Sequence, residues 1–147
     1  MARRFLGSHP GPDPVLAKPR PRPTPTSQPY WDGLAAGVVR VQHCEACGAW
    51  VHYPRNRCPV CLSDRLSWQV VGSEATVYTF TVARRPTAAP FADDVPQIIA
   101  VVELDVGVRL TTTLVDVDPS AVRIGMAVSA VFDAGDDGVT LLRFRPA

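Results

Sequence analysis

Cys44-Glu-Ala-Cys47-Gly48 and Cys58-Pro-Val-Cys61 contain all four cysteines of the 147-residue chain, and only residues 48–57 separate the two pairs. Each C-x-x-C turn brings two sulfurs to one point. A glycine directly after the first turn lets backbone N–H groups face the thiolates. The intervening ten residues suffice for a hairpin that returns the second pair to the first. Four thiolates form a closed tetrahedral zinc site with no open position, hence a structural one. The same ligands would hold iron, and an oxidising compartment would pair them as disulfides. The double C-x-x-C spacing points first to zinc. His43 and His52 flank the pairs; beside a complete sulfur set they are read as surface or supporting residues rather than ligands.

A segment this short cannot bury enough apolar area to fold alone, and structural zinc supplies roughly 10–16 kcal/mol in small peptides. The ribbon, 43–66, is therefore expected to be unfolded without metal. Upstream, Thr26-Ser27 precedes Pro29, then Tyr30, Trp31, Leu34 and Ala35 recur at helical spacing, and Gly37 stands where a helix would stop. A short helix followed by a β-branched lead-in strand accounts for 29–42.

Downstream the period changes to that of strands. Residues 66–71, 75–83, 97–105, 108–115, 127–133 and 139–144 are apolar or β-branched runs bounded by Gly, Asp and Pro. Asp105-Val106-Gly107 is a tight hairpin turn, and 133–138, with its Asp136-Asp137 pair, is a wider one. With almost no helical pattern between them, these strands suit a mostly β chain ending in a small closed barrel over 67–147. Continuous runs such as 98–102 point to strands buried for much of their length. The connection 84–96 lacks a period of its own and displays Arg84, Arg85 and Phe91.

Eight of the fifteen prolines lie at or before Pro29. The stretch 1–28 carries five basic residues against Asp13, has no apolar period, and is expected to be a disordered, extended tail. The chain has no run near the roughly 20 apolar residues of a membrane span and no signal-peptide pattern, so a soluble cytoplasmic protein is expected. From Ser73 onward six arginines face ten acids, a balance that argues against a polyanion-binding barrel.

The order of helix, four-Cys ribbon and barrel resembles the zinc-ribbon/OB-fold proteins associated with acyl-CoA metabolism. The matching residues are Tyr30-Trp31-Asp32-Gly33-Leu34, Arg40 through Gly48, Tyr53 through Cys61, Trp68, Gly72, Val77 through Thr81, Pro96, Val101 through Gly107, Ile124-Gly125-Met126 and Phe144. The likeness implies a rubredoxin-like ribbon, a five-stranded OB-fold and structural Zn2+ on Cys44, Cys47, Cys58 and Cys61. It further implies a non-catalytic partner of thiolase-fold enzymes such as thiolases, acyltransferases or retro-aldolases, possible roles in lipid or steroid degradation included, that helps shape a CoA entrance.

The residues agree with the non-catalytic part. A closed tetrathiolate cannot activate water, every thiol is committed, and no His follows His52 to serve the barrel as a base. Arg55, Arg57, Arg84 and Arg85 are candidate CoA-phosphate contacts, because guanidinium forks match phosphate. Tyr30, Trp31, Trp50 and Phe91 are candidates for a partner interface, whereas Trp68, within a strand, is expected in the core. A stand-alone acyl-CoA carrier and a single-stranded nucleic-acid-binding OB protein are the competing readings.

Overall fold

The computed structural model describes residues 18–135 and 138–147. The Asp136-Asp137 turn and the tail as far as residue 17 lie outside them. A turn at Thr24–Ser27, closed by the Ser27 and Gln28 amides donating to the Thr24 carbonyl at 2.9 and 2.8 Å, leads into helix α1 (Gln28–Ala35). Proline in the first turn suits a helix start, where its missing N–H is not needed. The helix ends at Gly37, whose φ of 73° only glycine adopts without strain, and whose amide donates to the Leu34 carbonyl.

Gly33 sets how closely α1 approaches the next strand. A Cβ there would lie 3.0 Å from Arg40 Cγ and 3.0 Å from the Val38 carbonyl oxygen. That strand, β1 (Val39–Cys44), is central in an antiparallel sheet between β2 (Trp50–Val51) and β3 (Leu66–Val71). The run at 66–71 thus joins the ribbon's sheet, leaving five strands for the barrel: β4 (Glu74–Ala83), β5 (Gln97–Leu104), β6 (Arg109–Leu114), β7 (Ala127–Ala134) and β8 (Thr140–Pro146). They close in the order β4-β5-β6-β8-β7. The β6–β8 seam is parallel and rests on a single pairing, Leu114 with Phe144. The chain is mostly β, as its period indicates.

Inside the barrel, Ala75, Val77, Ile98, Ala100, Val102, Leu104, Leu110, Leu114, Val128 and Phe144 form one core. Alternation is stricter than the continuous run at 98–102 suggests: Ile98, Ala100 and Val102 are buried, while Ile99 and Val101 point outward and are half-buried. Period-2 side-chain geometry forces that division even on an all-apolar run. Val39 and Val41 of β1 belong to this same core, and Trp50 and Val71 pack against it. Ribbon sheet and barrel are therefore not independent, and each buried valine contributes on the order of 1.5–3 kcal/mol to holding them together.

Trp68 does not follow the core expectation. It is half-buried on β3 and absent from the core cluster, because its sheet neighbours Arg40, Gln42 and Val70 face away from the barrel side that Val39 and Val41 occupy. Residues 18–28, expected to belong to a disordered tail, make specific contacts with the folded part. Lys18 pairs with Asp94 at 2.7 Å and lies 5.7 Å from the Phe91 ring centroid, and Thr26 Oγ1 donates to Asn56 Oδ1 at 2.9 Å. Proline lowers the entropy lost when such a strap is laid down, so few contacts suffice to seat it.

Candidate metal centre and adjoining groove

The two cysteine turns are copies of one design. In the first, the Cys44 amide donates to the Ala49 carbonyl and the Gly48 amide to the Cys44 carbonyl; in the second, Cys58 donates to Ser63 and Leu62 to Cys58, all at 2.8–2.9 Å. Each turn needs a left-handed residue after its second cysteine, met by Gly48 (φ 75°) and by Leu62 (φ 62°). Cys44 and Cys58 are buried, and Cys47 and Cys61 are exposed.

All four sulfurs lie within 4.8 Å of one another, with Cys44 to Cys61 at 3.6 Å and Cys47 to Cys58 at 3.7 Å. A tetrahedron with Zn–S bonds of about 2.3 Å has edges of about 3.8 Å, so the sulfurs fit zinc. A disulfide needs about 2.05 Å, so the pairwise-bonded alternative is not the state described. The Val60 amide, 3.4 Å from Cys58 Sγ, adds a donor that favours the thiolate. His43 packs against Trp50 with ring centroids 4.7 Å apart and planes tilted by 59°, and neither it nor His52 joins the sulfur cluster. The ribbon's hairpin is tied to its sheet by buried Gln42, which donates to the Arg55 carbonyl and accepts from the Arg55 amide.

Next to the ribbon lies a groove of about 640 Å³ between α1, residues 52–54 and the β6–β8 seam. Tyr30, Trp31 and Leu34 of α1 form one wall, His52, Tyr53 and Pro54 another, and Leu110, Thr112 and Leu142 the floor. Tyr30 meets Trp31 edge-on at 5.3 Å and His52 at 5.9 Å. Burial pushes the Tyr30 hydroxyl up to about 12, with Tyr53 adding to the rise, and pushes the His52 imidazole down to about 4.

The candidate residues scatter. Arg55, Arg57, Arg84 and Arg85 are exposed and do not line this groove; Arg57 donates instead to the Leu62 carbonyl at 3.2 Å. Trp50 is turned inward against the shared core, and Phe91 lies under Lys18. Tyr30 and Trp31 do share a surface, the groove wall. Arg22, Thr111 and Arg143, which also line it, carry no local signal, because the strap, β6 and β8 meet only after the barrel closes.

Two domain families match in the same order: the ChsH2 rubredoxin-like zinc ribbon over residues 31–67 and the ChsH2 C-terminal OB-fold over 68–133. A DUF35 domain-containing scaffold protein of Methanocaldococcus jannaschii is 37% identical over 113 residues, covering 70% of this chain and 77% of that one. The chain belongs to the DUF35 family. The ribbon accordingly is a zinc ribbon and the barrel an OB-fold. A probable enoyl-CoA hydratase alpha subunit of Thermomonospora curvata is 34% identical over 91% of this chain, which spans only 41% of that relative's length. Among solved structures, a chain of an Ltp2-ChsH2(DUF35) aldolase superposes with a TM-score of 0.78 and 31% identity, over 86% of this chain and 98% of that one.

Proposed function

We propose that this chain is a non-catalytic subunit that binds and supports an enzyme acting on acyl-CoA, of the thiolase fold, and helps form its complex and its CoA site in the reducing cytoplasm. The carrying observation is the match along 98% of a chain from an aldolase complex. Relatives named scaffold proteins support the accessory role, and those named hydratase alpha subunits support the acyl-CoA chemistry. This chain spans only 32% and 41% of two such alpha subunits, so their hydratase activity is not carried over to it.

The surface supports a protein partner. Of the six exposed large apolar residues among the described residues, Tyr53 (60%), Val60 (72%), Leu62 (69%) and Val70 (61%) belong to the ribbon and its sheet. Zinc ribbons have too little volume to bury all their apolar side chains, and a concentration of this kind on one lobe marks an interaction surface. Affinity purification of the tagged full chain followed by mass spectrometry and acyl-CoA assays tests the reading. Stoichiometric recovery of an acyl-CoA enzyme, with no turnover by the isolated chain, is expected. Thiolysis or aldol cleavage by the isolated chain would refute it.

A further inference from the structure

The groove between α1 and the barrel seam is built differently from the rest of the surface. Its floor is the seam itself, where β6 and β8 share one backbone pairing and the Thr112 hydroxyl spans the gap to the Leu142 carbonyl at 2.9 Å. Ile99, an apolar residue on the outward face of β5, also lines it. At about 640 Å³ it falls within the roughly 300–1,000 Å³ of sites that enclose drug-sized ligands, and aromatic and aliphatic side chains with a few hydroxyls dominate its lining.

The charges are one-sided. Among the described residues, Arg22 and Arg143 line the groove and no acid does. Arg143 is already engaged by Asp133 and by Thr113 Oγ1 at 2.6 Å, whereas Arg22 is exposed on the strap. His52 and Tyr30 stay uncharged at neutral pH, since burial moves their titrations to about 4 and about 12. The interior is thus neutral and apolar, with a cation at its exposed side.

We infer that this groove binds the hydrocarbon body of an amphipathic anion, with the anionic end against Arg22. It deepens the acyl-CoA reading above, on which the identity of the natural ligand rests: the acyl and pantetheine portion would lie here, with the CoA diphosphate as the anionic end.

Calorimetric titration of the zinc-loaded full chain with decanoate and with decanol tests this. One saturable decanoate site is expected. Thr111→Trp, which fills the groove from an exposed strand position that accepts aromatics, should weaken binding at least tenfold. Arg22→Ala should weaken decanoate about three- to fivefold, the scale of one exposed ion pair, and leave decanol unchanged. No saturable binding, or wild-type affinity in a folded Thr111→Trp chain, would overturn the inference, as would exclusion of decanoate from the assembled complex. A chain that recovers an acyl-CoA enzyme yet binds no decanoate fails the groove alone; one that binds decanoate yet recovers no such enzyme fails the subunit reading alone.

Discussion

Gly48 and Leu62 occupy the same position in two copies of one turn, each donating its amide to the carbonyl of the first cysteine of its pair with φ near +70°. Glycine is at ease there, but leucine costs about 1–2 kcal/mol in the left-handed region. Leu62 recovers little by packing, being 69% exposed. Leu62→Gly should therefore raise the free energy of unfolding by up to about 1 kcal/mol, read by denaturant titration, while weakening capture of the partner enzyme. Destabilisation beyond 1 kcal/mol would mean that the side chain packs within the chain.

The metal's reach should extend past the ribbon. Val39 and Val41 lead from the barrel core into Cys44 along one strand. Cys47→Ser, at an exposed ligand, should abolish stoichiometric zinc and also expose barrel amides to hydrogen exchange, because the β1 valines lose their support. A barrel exchanging at wild-type rates in the zinc-free variant would show two uncoupled lobes.

His52 links stability to pH. Its folded-state value of about 4 lies below the ordinary 6.5, so between those limits the unfolded chain takes up a proton that the folded chain refuses. The contribution is fully present above pH 6.5 and is lost as pH falls toward 4, at up to ~1.4 kcal/mol per pH unit. Thiolate protonation at the metal acts in the same direction. The measurement is accordingly the difference between wild type and His52→Gln, which should be constant above pH 6.5 and turn progressively against the wild type as pH falls toward 4.

The strap predicts unequal truncations. Removing residues 1–28 deletes the Lys18–Asp94 pair, the Thr26–Asn56 hydrogen bond and the Thr24–Ser27 turn ahead of α1, and should lower the melting temperature by several degrees. Removing 1–17 spares these contacts. Equal melting temperatures for the two deletions would show that the strap contributes nothing.

Local chemistry carried much of the architecture. The C-x-x-C spacing names its own ligands, because each turn presents two sulfurs on one side, and strand periods together with Gly107 mark β5, β6 and their hairpin because those signals act over a few residues. Loop arginines were legible only as residue types: Arg84 and Arg85 look like Arg22 in sequence, and what separates them is which one faces a cavity.

The amino-acid order by itself determined a tetrathiolate site, a short helix and a run of strands, since each depends on neighbours within a turn or two of chain. Tertiary structure alone decided that β1 feeds the barrel core, that Trp50 turns inward, and that Tyr30, His52 and Leu142 enclose one groove. Those relations arise from closure of the barrel and the seating of α1 on it. Contacts across more than a hundred residues are set by which surfaces must leave water together, and no local pattern records that.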